Sequence, residues 1–320
     1  MTRYLLRRVP SALGVLVVAS FLVFVLVRAV PGDPVTALAG PDATDESRAE
    51  IARQLGLDRP LLAQYATWLG QVTSLDLGRS YRIGGEVGDL VRDGALNTVV
   101  LTLAALTFAV LAAVVLSTLA VIADRRWLNA LLAAVNTVAV AVPTFVTGPV
   151  LVLLLAVVVP LLPAGGTPPE GFTARPDIAA QYLLLPAVCL GLPAAATLTR
   201  FLSESLLTQL RQPYVTTATA LGVGRRRIVL RHALPNALPA AVTVLGMQVG
   251  TLLGGAVLVE AIFAWPGLGL LVEEAISTRD YPVVQVLLLL SVAVFVVTQL
   301  LSDVVNAWLD PRVRLDGVAR

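Results

Sequence analysis

The sequence predicts an all-α, polytopic membrane protein, and three observations carry that expectation. Its 320 residues are 57% hydrophobic and only 14% charged, with a mean hydropathy of +0.83, a balance outside the range of soluble globular domains. The uncharged residues gather in runs long enough to cross a bilayer as helices, for which about 20 residues match a hydrocarbon layer of roughly 30 Å. The basic residues, all arginine, cluster beside those runs, where their distribution reads orientation. A formal net charge of +2 is too small to point to a nucleic-acid partner.

The first run, residues 9–27, lies between Arg3, Arg7 and Arg8 on one side and Arg28 on the other. As a helix it is about 28 Å long and spans once. It reads as a retained span, being longer than a signal-peptide apolar core and followed by no Ala-x-Ala site before Pro31. Residues 31–95 change character, with ten acids (Asp33, Asp42, Asp45, Glu46, Glu50, Asp58, Asp76, Glu86, Asp89 and Asp93) against six arginines. They predict a small external helical subdomain. One helix runs from Glu46 to Leu55 and stops at Gly56; a second, opened by Pro60 and capped by Asp58, carries the stripe Leu61, Tyr65, Trp68 and Val72. That stripe predicts a packed interface, or alternatively a docking surface for another protein.

The next run, 94–123, ends at Asp124-Arg125-Arg126. Residues 127–169 hold no charge but contain Pro143, Pro149, Pro160 and Pro163. Read as two spans they would place Arg225, Arg226, Arg227 and Arg231 outside, so the positive-inside rule predicts one kinked span. Residues 178–199 return the chain inward. Two more spans follow, 238–259 and 281–302, joined by an external loop with Glu273, Glu274 and Asp280 against Arg279; the tail with Arg312, Arg314 and Arg320 is cytoplasmic. The expectation is about six transmembrane helices with both ends inside. Cys189, the only cysteine, sits in an apolar run and reads as a small buried hydrophobe. One cysteine and one histidine exclude a zinc or iron–sulfur centre.

The most informative stretch is polar. Between two apolar runs, Pro213 opens a helix, Gly222 stops it, and a second short helix precedes Pro235. The second helix carries Leu230, Ala233, Leu234, Ala237 and Leu238 at helical spacing, an apolar face for the protein beneath, with four arginines and the single His232 toward water. Taken alone, Arg225, Arg226 and Arg227 are ordinary anchors for anionic lipid.

Ala218-x-x-x-Gly222, nine residues, then His232-Ala233-Leu234-Pro235-Asn236 resembles the cytoplasmic coupling loop of ABC-importer permeases. Pro31-Gly32-Asp33-Pro34, Leu55-Gly56-Leu57-Asp58 with Pro60, Asp76-Leu77-Gly78-Arg79-Ser80, Phe263-Ala264-Trp265-Pro266-Gly267 with Gly269, Arg279-Asp280-Tyr281-Pro282 and Leu309-Asp310-Pro311-Arg312 resemble, in order, the dipeptide/oligopeptide/nickel branch. The resemblance implies the permease architecture of a type I ABC importer in the bacterial cytoplasmic (inner) membrane, similar to the first of two paired permeases. It implies 1–30 as cytoplasmic N-terminus and first helix, 31–95 as extracytoplasmic subdomain, 96–312 as permease core with coupling loop 204–236, and 313–320 as tail. The implied partners are a second homologous permease, two ABC ATPase subunits, an extracytoplasmic substrate-binding protein and membrane lipid; the implied cargo is di- or oligopeptides, with nickel and other small solutes also found in the branch. Ala218, Gly222, Arg225, Arg226, Arg227, His232, Pro235 and Asn236 are the residues that the resemblance assigns to ATPase coupling. Thr216, Thr219 and Leu221 depart from its pattern, standing where the family usually carries charge.

No catalytic constellation accompanies these motifs. There is no lysine and hence no P-loop, and His232 has no neighbouring carboxylate to make a nucleophile's base of it. ATP hydrolysis therefore falls to another chain, and no cofactor is expected. Within or near the spans, Gln248 and Asn136 read either as interhelical hydrogen-bonding groups or as substrate contacts, and Glu260 and Asp303, each near an interface, either as pairing or capping groups or as walls of a translocation path. The alternative function, a stand-alone ion-coupled secondary transporter, needs ionisable groups at depth and internal repeats, of which this sequence offers few.

Overall fold

The computed structural model describes residues 2–29, 35, 43–54 and 56–309. Pro31-Gly32-Asp33-Pro34, Asp42, Leu55, Asp310-Pro311-Arg312, Arg314 and Arg320 lie outside the described residues, as do the side chains of Arg3, Arg7, Arg8 and Asp303. In chain order the helices are α1 (Thr2–Ala29), α2 (Asp45–Gln54), α3 (Leu61–Thr73), α4 (Val87–Ala123), α5 (Arg126–Ala141), α6 (Thr144–Val152), α7 (Gly171–Ala174), α8 (Pro176–Leu210), α9 (Pro213–Ala220), α10 (Arg225–Ile228), α11 (Leu234–Phe263), α12 (Leu268–Thr278) and α13 (Tyr281–Leu309). Two π-helical turns, Leu153–Val158 and Val229–Ala233, extend α6 and join α10 to α11. The chain forms two compact units, Met1–Arg92 with Leu271–Arg320, and Asp93–Leu270.

In the first unit α1 packs along α13, and α3 lies against α1 through aromatic rings. Tyr65 stands edge-on to Phe21 and Phe24, at 5.2 and 5.4 Å between centroids. Trp68 packs on Phe24 at 5.5 Å, and the Arg28 guanidinium covers the same ring at 3.8 Å. Tyr65 also shares a 2.8 Å hydrogen bond with Ser20. Two members of the predicted stripe thus pack, whereas Leu61 is 44% exposed. The predicted Asp58 cap is not formed. Pro60 occupies the N-cap with extended backbone and α3 has no side-chain cap, because Asp58 stands two residues too early to reach the first free N–H groups. Gln64 instead donates to the carbonyls of Leu57 and Arg59, at 3.2 and 2.8 Å.

The same unit brings together two motifs that stand far apart in sequence. Asp280 is fully buried at the foot of α13. Its carboxylate accepts the Ser80 hydroxyl at 2.5 Å and the backbone N–H groups of Arg82, Ile83 and Tyr81 at 2.9, 3.2 and 3.2 Å. Consecutive N–H groups converging on one anion form a nest, the geometry that binds negative charge without a cation. Loop 78–87 is closed around it: Val87 N–H donates to the Gly78 carbonyl (2.9 Å) and Ser80 N–H to the Gly85 carbonyl (3.1 Å). Burial alone raises the Asp280 carboxyl, but the Ser80 hydroxyl and the three N–H donors outweigh it and hold the group below the usual carboxylate range.

In the second unit α4, α8 and α11 enclose the main core. Leu101, Ala105 and Ala109 of α4, Leu190, Ala194 and Leu198 of α8, and Leu252, Ala256 and Val259 of α11 are buried together. Gly191 sets the closeness of α4 and α8, since a Cβ there would stand 2.6 Å from the Ala105 carbonyl oxygen and 2.9 Å from Phe108. The uncharged run 127–169, expected as one kinked span, folds as two helices with a sharp bend between them. Helices α5 and α6 meet at 108°. Val142 is extended (φ −82°, ψ 120°) ahead of Pro143, as the ring of a following proline and its missing N–H require. Among the described residues four helical segments are long and apolar enough to cross a membrane: Pro10–Ala29, Val87–Ala123, Pro176–Leu210 and Ala241–Phe263. A fifth results if the bent pair is one span, and Tyr281–Val297 is a shorter apolar helix.

The Asp280 nest makes an acid-sensitive attachment. A carboxyl with a depressed pKa stabilises the fold above its unfolded value and loses that contribution as pH falls through the folded one. Asp280→Ala is expected to cost about 2–4 kcal/mol and to expose the amides of Tyr81 and Arg82 to hydrogen exchange. The wild type is expected to lose the same protection progressively as pH falls below the ordinary aspartate range; protection unchanged by either treatment would contradict the assignment.

Candidate functional site

The polar stretch after α8 folds into a projecting helix and a tight turn. Gln212 is extended, Pro213 takes the first helical position, and the eight residues of α9 follow. Thr217 and Thr219 return their hydroxyls to the Pro213 and Val215 carbonyls, at 3.3 and 2.8 Å. Only Val215 is buried; Thr216, Thr217 and Ala220 are exposed and Leu221 is 78% exposed. Gly222 then takes φ +80°. Its N–H reaches the Thr219 carbonyl at 2.9 Å and the next N–H, of Val223, reaches the Ala218 carbonyl at 3.1 Å, the paired bonds of a Schellman end. A Cβ at Gly222 would meet no atom, so the glycine answers to the left-handed backbone, which costs other residues roughly 1–2 kcal/mol.

Beyond the turn the structure corrects the sequence reading. In place of a separate short helix, α10 runs through the π-helical turn Val229–Ala233 into α11 without a break. Pro235 has no N–H for the carbonyl four residues back, and the wider turn absorbs that loss in register. The buried face is accordingly Ile228, Val229, Ala233 and Ala237, while Leu230 and Leu238 are each 39% exposed. Val229, Ala233 and Ala237 pack with Val121, Leu202 and Leu206 as a second core at the loop end of the unit. Asn236 donates to the His232 carbonyl at 2.8 Å; His232 and Pro235 are exposed beside it.

The four arginines do not act alike. Arg225 turns back onto α4, its Nε and Nη2 donating to the Val121 carbonyl at 3.1 and 2.9 Å, with Nη2 also 3.0 Å from the Asp124 carboxylate. It occupies a carbonyl in the last turn of α4 that has no partner within the helix and adds favourable charge at that helix end. Arg226, Arg227 and Arg231 are exposed and make no ion pair or side-chain hydrogen bond among the described residues. With Gly224, Leu230 and the inward-turned Arg225 they line an open concavity of about 490 Å³.

Glu260 stands at the far end of α11, about 39 Å of helix from Leu234. It is fully buried. One carboxylate oxygen accepts the Thr98 hydroxyl of α4 at 2.6 Å, the other the Gly269 N–H in the first turn of α12 at 2.6 Å. Thr98 in turn accepts the Leu268 N–H at 2.9 Å. Beside it, the Asn97 amide donates to the Pro266 carbonyl (2.9 Å) and Trp265 Nε1 donates to the Asn97 carbonyl (3.0 Å). A carboxylate and a hydroxyl thereby satisfy the free N–H groups of α12 from outside the helix. Asn136 lies elsewhere, on the wall of a cavity of about 720 Å³ between α4, α5 and α8 that also presents Asn129, Arg200 and Glu204. Gln248 is half-buried midway along α11, and no described residues group three metal-binding side chains together. Sequence reasoning missed Thr98, Asn97 and the inward turn of Arg225; the two adjacent polar residues inside an apolar run were the available signal for the first two.

Residues 105–315 match the family model described as the inner membrane component of binding-protein-dependent transport systems, and residues 1–88 match that of the N-terminal membrane component of the same systems. Over 98% of this chain and 100% of the relative, the sequence is 35% identical to a peptide permease protein of Brucella suis biovar 1. It is equally 35% identical to a peptide permease protein of Brucella ovis. It is 33% identical to the glutathione transport system permease protein GsiC of Escherichia coli K12, over 98% of this chain and 99% of that one.

The Glu260 end of the unit makes two predictions. Thr98→Val keeps shape but removes a hydroxyl from Glu260 and an acceptor from Leu268, and is expected to lower stability in detergent by about 1–3 kcal/mol. Gly267→Ala drives a methyl into the Glu260 carboxylate and Gly269→Ala drives one into the Val257 backbone beside it, whereas Gly246→Ala meets nothing within 4 Å. The first two are expected to yield little folded protein by size-exclusion chromatography and the third a normal amount; equal yields would contradict the packing described.

Proposed function

The chain belongs to the inner-membrane permeases of binding-protein-dependent ABC importers, and from that premise we propose that it forms half of a peptide-conducting pathway, driven by a separate ATPase that docks on the turn at Gly222. Membership makes it a transport protein of the bacterial inner membrane rather than an enzyme, and sets aside a stand-alone secondary transporter. Peptide cargo is supported by the relatives, one a peptide permease and another a permease for glutathione, itself a tripeptide. The proposed assembly pairs this chain with a second related permease, two ATPase subunits and an external binding protein. Within it the chain crosses the membrane six times with both ends inside, and Asn136 and Gln248 face the pathway.

The observation that carries the docking assignment is the shape of the loop. Helix α9 is exposed on nearly every side and is closed at Gly222 by two backbone hydrogen bonds; after the short turn 221–224 the chain runs through α10 into the 30-residue α11. A force applied at α9 reaches the transmembrane region through one short hydrogen-bonded turn and then through helix. ATP binding acts as a switch only if it favours one orientation of that region over the other, and the loaded binding protein favours the same one.

Purification of the complex in mild detergent tests this. The wild-type chain is expected to carry a P-loop ATPase with it, and Gly222→Trp, which strains the left-handed turn, to retain at least about tenfold less. Equal retention by both, or no ATPase with either, would overturn the docking assignment. Cells lacking the chain are expected to lose uptake of labelled di- or tripeptides; undiminished uptake of all of them would overturn the cargo.

A further inference from the structure

The loop divides its docking surface into two chemically different halves. The helical half, α9 with Leu221, shows no charge to solvent: its exposed side chains include Tyr214, Thr216, Thr217 and Leu221, and its threonine hydroxyls at 217 and 219 are already spent on their own helix. Three residues past Gly222 the character reverses. Arg226, Arg227 and Arg231 rise from a single stretch around Leu230, without an acidic partner among the described residues. Arg225 is excluded from that row because Val121 and Asp124 hold it against α4.

We infer that the ATPase subunit which fits this chain presents an uncharged groove to α9 and a cluster of carboxylates to Arg226, Arg227 and Arg231. This rests on the docking assignment above and specifies its partner. Charge complementarity sets the chemistry: three neighbouring guanidiniums repel one another unless anions stand between them, and the concavity they line leaves room for carboxylate side chains with Leu230 as an apolar floor. Continuity sets the occupant. The arginines follow the turn by only a few residues and α9 packs beside α10, so a body seated on α9 lies next to them. A charged groove opposite α9 would bury its charge against Thr216 and Leu221 without a partner, which disfavours an ATPase built for a charged coupling helix. The neutral helix therefore selects against wrong partners and the arginine row attracts the right one.

The test uses the whole detergent-purified complex. Retention of the ATPase by the wild type is expected to fall as salt rises, because exposed charge pairs are screened. Arg226→Gln/Arg227→Gln/Arg231→Gln is expected to flatten that salt dependence. Arg226→Glu/Arg227→Glu/Arg231→Glu is expected to reduce retention at low salt at least about tenfold while still purifying as a monodisperse membrane protein. A wild-type complex indifferent to salt overturns the inference without relying on any variant. Full retention by the Glu variant, with Gly222→Trp still losing the ATPase, overturns it while leaving the docking assignment intact. Full retention by the Glu variant together with loss of binding to phosphatidylglycerol vesicles would overturn it by showing that the arginines serve lipid.

Discussion

Glu260 is the constraint on which the second unit depends. A carboxyl group fully enclosed by protein is tolerated only when its oxygens are engaged. Here both are, by Thr98 of α4 and by the first turn of α12. The requirement propagates outward. A Cβ at Gly267 would collide with the carboxylate, and one at Gly269 with the Val257 backbone as well as the carboxylate; Ala264 takes a left-handed φ of +48° so that the chain can turn back toward it; and Trp265 is buried with its indole nitrogen on Asn97. The motif around Trp265 is thus the packing of one buried acid.

At the opposite end of the same helices, Arg225 does for α4 what Glu260 does for α12: a charged side chain from one segment satisfies the backbone groups that another helix leaves open. Helices α4 and α11 are consequently tied at both ends, by Thr98 with Glu260 and by Val121 with Arg225, and α8 is packed into them at Gly191. A body braced in this way transmits displacement rather than absorbing it, which is the property that a permease needs if an ATPase acts on its loop. The first unit uses the same device independently, with the buried Asp280 gathering the N–H groups of loop 78–87.

Class and local punctuation were legible in the sequence because they are set by composition and by residues with fixed backbone preferences. Hydropathy gave helices in a membrane, and Gly56 and Gly222 marked helix ends that do adopt positive φ. What failed was whatever depends on geometry between elements. An uncharged run carries no information about angle, so Pro143 marked the bend in 127–169 but not its size of 108°. Asp58 read as a cap because such residues usually are, yet Pro60 fixes the helix start beyond its reach. Arg225 was indistinguishable in sequence from Arg226 and Arg227, since its partner Val121 stands 104 residues away. Likewise nothing local to Glu260 points to Thr98, 162 residues distant, although two adjacent polar residues in an apolar helix were a sign that something had to meet them.

The most direct test of transmission is a distance measured inside the second unit while the assembled transporter turns over. With the buried Cys189 replaced by alanine, spin labels are placed at two exposed positions, Leu221 beside the turn and Leu96 beside Thr98. Their separation is measured by pulsed electron resonance with and without ATP in the complete complex. A single narrow distance, unchanged by ATP, is the expected result for a braced body that moves as one. A distance that shifts or broadens when ATP binds would mean that the loop moves against α4, and that the bonds of Arg225 and Glu260 do not carry its motion to the far end.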